Sequence, residues 1–174
     1  EVTDGIVVET DSDMYVQRPY YIVPTISASE VTTDMTGGST NVLLSGCQGF
    51  KVSENARDTL DISTVLSPSE GAFVKTDPQK MTSYDKEDGD ADGPFSVAVT
   101  VSEDVSGTSD EDSDSSGADG ATTETDNAAT ETATSDETKT TQLVAIASSA
   151  ILDSSMNSMV SDGNYTLYMN AMKW

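Results

Sequence analysis

"QLVAIASSAILDSSM", residues 142–156, sets an apolar run, Leu143 to Ala147, directly against two small hydroxyl residues, Ser148 and Ser149. A helix-like spacing of Ile151, Leu152, Met156 and Met159 follows. In α/β proteins a buried parallel strand hands over to a helix in this way, and ligands collect at that junction. The stretch therefore predicts an α/β fold, a mixed or mostly parallel sheet with flanking helices. It also makes Ser148 and Ser149 the candidate ligand-binding residues, because their hydroxyls and the first helical N–H groups could hold an anion. No acid, base, metal triad or Gly-rich phosphate loop accompanies them, so a capped junction is the competing reading.

Upstream of this stretch lies a tract of different vocabulary. Residues 102–140 contain no aromatic side chain and a single large aliphatic, Val105, among Ser, Thr, Asp, Glu, Gly and Ala. Such a segment cannot bury enough apolar surface to offset an ordering cost of roughly 1–2 kcal/mol per residue. It reads as a disordered acidic insertion within one domain spanning residues 1–174. The strand-like "FSVAVTV" (residues 95–101) and "LVAIA" (residues 143–147) flank it and are expected to meet in space. Earlier runs also predict strands: "GIVVE" at 5–9, "YYIVP" at 20–24, the apolar start of "NVLLSGCQGFKV" at 41–52, and "AFVKT" at 72–76 as a short edge. In "TLDISTVLSPS", residues 59–69, the alternation of Leu60, Ile62, Thr64 and Leu66 places these four on one face. Asp162-Gly163 is expected to stop the helix after Ser149, and Leu167, Tyr168, Ala171 and Met172 are spaced for a last helix.

Charge and composition exclude several classes of function. A net charge of −23 with only 8 Lys and Arg repels phosphate backbones and anionic membrane surfaces, which argues against nucleic-acid binding. The absence of histidine removes the commonest general base, the commonest zinc ligand and every Ser–His or Cys–His dyad. One cysteine, Cys47, permits no internal disulfide. No apolar run approaches the roughly 20 residues that span a bilayer. With Glu1 in place of a starting Met, and no stop signal at Trp174, the chain reads as a fragment of a longer protein.

Three motifs invite a chemical reading. "SGCQG" around Cys47 is similar to a nucleophile elbow, but Ser45 stands where a glycine is needed and no histidine can activate the thiol, so a small apolar filler is expected. "DGDADG", residues 88–93, has the opening of a calcium loop, yet its twelfth position is Val99 and not a bidentate Glu. A solvated turn is the expectation there, with no dedicated metal site. "NYT", residues 164–166, matches a glycosylation acceptor that short chance matches often produce.

Taken in order, several segments resemble the GldG-like ABC-transporter auxiliary proteins. "EVTDGIVVETDSDMYVQRPYYIVPTISASEVTTDM", "NVLLSGCQGF", "LSPSEGAFVKT" and "DGPFSVAVTVSE" are similar to successive elements of that family. "QLVAIASSAILDSSMNSMVSDGNYTLYMNAMKW" resembles its closing element, most specifically from Gly163-Asn164 to Trp174. The likeness covers nearly the whole chain outside the acidic tract. One departure falls at the opening junction, where the family's "GDSD" is replaced by Ala147-Ser148-Ser149-Ala150. The resemblance implies a Rossmann-like or flavodoxin-like domain, here a partial one, on the extracytoplasmic face of a bacterial cell membrane. The full-length protein would be anchored by a helix soon after the Trp174 equivalent and associate with an ABC permease and ATPase, as in gliding-motility systems. It implies a non-catalytic role in complex assembly or partner binding, with no cofactor. The alternative is a small-molecule or sugar-binding domain that presents substrate to the transporter. Missing strands would leave sheet edges open, and with them the route to a homodimer.

Overall fold

A computed structural model describes residues 1–37, 40–79, 81–105 and 139–174. In chain order its strands are β1 (Ile6–Val8), β2 (Tyr21–Ile22), β3 (Thr25–Ile26), β4 (Leu44–Ser45), β5 (Asp61–Ser67), β6 (Phe73–Lys75), β7 (Ala91–Asp92), β8 (Ala98–Val105) and β9 (Lys139–Ile146). Two helices close the chain, α1 (Ser154–Met159) and α2 (Gly163–Lys173). The strands form sheets of order β1-β6-β7, β2-β4 and β3-β5-β8-β9.

Among the described residues every strand pairing is antiparallel. This overturns the Rossmann-like or flavodoxin-like α/β expectation. The run that suggested a buried parallel strand is β9, which pairs with β8 from Ala98↔Ile146 to Val105↔Lys139 at the edge of the four-stranded sheet. A parallel strand is covered on both faces. β9 is covered on one: Val144 and Ile146 lean on the core, while Leu143, on the opposite face, is 56% exposed. The expected long helix is also absent. Ser149–Leu152 form one 3-10 turn, Asp153 is extended, and α1 then runs for six residues. Asp162-Gly163, read as a stop, follows the end of α1, where Asp162 N donates to Asn157 O at 3.1 Å, and also opens α2.

The flanks of the acidic tract do meet, as the two strands of the β8–β9 hairpin. Pairing continues to Val105 and Lys139, so both ends of the segment expected to be disordered belong to the sheet. Its remainder, residues 106–138, lies outside the described residues.

The core takes in Val7 of β1, Ile22 of β2, Leu44 of β4, Val65 and Leu66 of β5, Val74 of β6, Ala98 of β8 and Leu167 of α2, all fully buried. β6 is the middle strand of its sheet and not the edge that its shortness suggested. In β5 the register against β8 slips between Thr64↔Val99 and Leu66↔Ala98, a bulge that inserts Val65. The slip moves Leu66 to the core side with Ala98. It leaves Leu60 and Ile62, with Val99 and Val101 of β8, along an outer groove of 680 Å³ that Phe95 also lines. No helix among the described residues is long and apolar enough to cross a membrane.

Candidate functional site

The junction singled out by the sequence lies where β9 leaves the sheet. Ser148 is 6% exposed. Its hydroxyl donates to Ser45 O at 2.9 Å and accepts from Ala150 N at 3.3 Å, tying β4 to the 3-10 turn. Ser149 is exposed at the head of that turn. The two are neighbours in sequence but differ in environment, one engaged within the protein and one open to solvent.

The helical N–H groups that could have met an anion begin five residues later and already have one. Asp153 caps α1 by accepting from Ser155 N at 2.8 Å and Met156 N at 3.1 Å. These bonds hold its carboxyl below the usual aspartate range. An internal carboxylate thus takes the place of a ligand. Beside it, a cleft of 390 Å³ opens between the turn at Val16-Gln17 and α1, with Tyr21, Leu43, Met156 and Met159 among its walls and Ser45 and Asp153 as polar groups.

Cys47 is fully buried in the core. Burial pushes its thiol up to about 12, so the thiolate that nucleophilic chemistry requires is absent at neutral pH. The calcium-like loop closes on an ammonium group. Lys75, 3% exposed on β6, donates to Glu87 Oε2 at 2.8 Å, Asp85 O at 2.9 Å and Asp90 Oδ2 at 3.2 Å. Asp90 also accepts from Glu87 N at 2.9 Å and Thr76 N at 3.2 Å, and Asp92 pairs with Lys86. The bond to Glu87 is the main cause that raises the Lys75 ammonium above its ordinary value. Burial alone would raise the Asp90 carboxyl, but its N–H donors and Lys75 outweigh that and hold it low. Among the described residues no cluster of three or more His, Cys, Asp or Glu is disposed to hold a metal ion.

Two buried polar groups escaped the sequence reading. Glu9, 2% exposed, accepts from Thr10 N at 2.8 Å, Asp11 N at 3.0 Å and Ser69 N at 2.8 Å, and from the Ser69 hydroxyl. Asn164, fully buried, accepts from Leu43 N at 2.8 Å and donates to Leu43 O at 2.9 Å. That pairing imitates a strand neighbour and leaves no room for a glycan on the "NYT" tripeptide. Gly163 is required beside it, since a Cβ there would lie 1.9 Å from Asn41 O. Further along α2, Asn170 donates to Val31 O at 3.2 Å and to Asp34 Oδ1 at 2.7 Å, and the Trp174 indole donates to Glu30. The sequence reading assigned none of these roles, because hydrogen bonds to residues so distant along the chain leave no local pattern.

No family model, curated protein or solved structure matches the chain.

Proposed function

We propose that this chain is a non-catalytic, extracytoplasmic auxiliary domain of an ABC transport system, acting in complex assembly or partner binding. The observation that carries the reading is the ordered likeness to GldG-like auxiliary proteins from Glu1 to Trp174, outside the acidic tract. It rests on that order of segments and not on the Rossmann-like fold the family implies. The chemistry of the described residues is in keeping with it. The single thiol is buried and protonated, the Asp88 to Asp92 loop binds lysines of its own, and the best-matched residues of α2 fasten the helix to residues 30–43. What is left for a partner is surface. The test is affinity purification of the full-length protein from gently solubilised membranes, followed by mass spectrometry. Co-purification of an ABC permease and its ATPase is the expected result, and recovery of the protein alone overturns the reading.

A second reading, a domain that presents a sugar or other small molecule to the transporter, is favoured by the cleft beside Asp153, which neither Ser148 nor Ser149 lines. Its aromatic, thioether and carboxylate walls suit an amphipathic ligand. A thermal-shift screen against sugars, nucleotides and peptides separates the two readings. A hit whose shift disappears in Met156→Lys supports the second, and indifference to every compound removes it.

A further inference from the structure

The free edge of β9 is the largest unanswered feature of the sheet. Ala147 N donates to Val97 O at 2.9 Å, so the alternation of an antiparallel ladder turns Lys139, Thr141, Leu143 and Ala145 toward β8. The backbone N–H and C=O groups of Thr140, Gln142, Val144 and Ile146 therefore point away from the sheet, and among the described residues no strand lies on that side. Among the described residues the devices that normally blunt an edge are missing. From Thr140 to Ala147 there is no charge, no proline and no register slip, and Lys139 at the far end is the one charged residue of the strand. At its centre Leu143 is 56% exposed, on the same face as the groove lined by Ile62, Val99 and Val101.

We propose that β9 pairs antiparallel with β9 of a second copy of this chain about a two-fold axis at Leu143, joining two four-stranded sheets into one of eight strands. In this register Gln142 of each copy exchanges backbone hydrogen bonds with Val144 of the other. Leu143 then meets its own equivalent in the closely spaced, non-hydrogen-bonded position, where cross-strand apolar pairs contribute most. The two Leu143 side chains join the outer grooves of the two copies into one continuous apolar face. Charge selects this arrangement over a parallel one. Each acidic segment leaves its sheet at Val105 and returns at Lys139, and the two-fold sets these points eight residues apart along the strand, about 27 Å at about 3.4 Å per residue. That is well beyond the screening length of about 8 Å at physiological salt. A parallel pairing would set the two Val105–Lys139 strand ends side by side. The proposal goes beyond the transport reading and does not depend on it.

Sedimentation velocity over a concentration series, with amide exchange followed at both ends of it, tests the pairing. The expected result is a concentration-dependent doubling of mass. With it, the amides of Gln142 and Val144 slow as concentration rises, while those of Thr141, Leu143 and Ala145 are protected at every concentration. Gln142→Pro removes one outward N–H without touching the bonds to β8, and Leu143→Lys sets like charges against each other at the axis; each is expected to return the protein to monomer. A monomer throughout the series overturns the proposal, as does a dimer indifferent to both substitutions. If either variant fails to fold, the exchange pattern of the unmodified protein decides, and outward amides that exchange at the same rate at all concentrations overturn it. Slowing that appears only when another protein is added assigns the edge to a different partner and overturns the two-fold.

Discussion

At the residue scale, Asn164 shows how a polar side chain can be the centre of a core. Both ends of its amide are bonded to Leu43, 121 residues away, with no exposure to water. Replacing it with Ala leaves a buried N–H and a buried C=O without partners, each worth about 1–3 kcal/mol. Asn164→Ala is therefore expected to lower unfolding free energy by about 2–6 kcal/mol, read as a lower urea midpoint at unchanged slope. A sequence cannot announce this role. Polar residues on an amphipathic helix are read as solvent-facing, and the "NYT" tripeptide pointed to the outside as well. Cys47 was legible, by contrast, because the missing histidine and Ser45 in place of a glycine both spoke against a nucleophile. With its thiol pushed to about 12, it is expected to resist iodoacetamide at pH 8 in the folded protein and to react once urea is added. Prompt alkylation of the native protein would contradict the burial.

At the scale of elements, strands were easier to find than their directions. The apolar residues of β9 marked a strand, but orientation depends on the neighbour, and that neighbour, β8, is separated from it by the acidic segment. A hairpin whose turn is replaced by 33 residues, 106–138, carries no short-range turn signal. The helix after Ser149 failed for a local reason. Ile151, Leu152, Met156 and Met159 keep a helical spacing, yet Asp153 in their midst hydrogen-bonds the N–H groups of Ser155 and Met156 and restarts the helix there. Asp153→Ala is expected to cost about 0.5–2 kcal/mol through loss of that cap. Chemical denaturation at pH 7 measures it, and Asp153→Ser should recover most of the loss. An unchanged midpoint in Asp153→Ala would mean that α1 holds its place by packing alone.

For the molecule as a whole, two opposed charge effects set stability. Lys75 and Asp90 stabilise the fold as an ion pair of low exposure. Asp90 and Asp153 titrate below their ordinary value of 3.8, so their contribution is complete above that value and is lost as pH falls through their lower folded values. Lys75 titrates above its ordinary 10.5, so its contribution is complete below that value and is lost as pH rises through the higher folded value. Thermal melts across pH are expected to show a plateau that falls away at both ends. Lys75→Met should remove the loss attributable to Lys75 at the alkaline end, and an alkaline limb unchanged in that variant would contradict the assignment. Superposed on this is the repulsion within a chain of net charge −23, which salt screens. The melting temperature at pH 7 is accordingly expected to rise with sodium chloride, and a fall would show that the ion pairs outweigh the repulsion.

The 121-residue span between Leu43 and Asn164 also has a meaning in time. A chain is made from its first residue onward at about 5–20 residues per second. Leu43 therefore waits about 6–24 s after its own synthesis before the amide that completes its hydrogen bonding exists. Until then the strands around β4 can collapse but cannot close, and whatever shields them in that interval, water or a chaperone, is an obligatory participant in the birth of the domain.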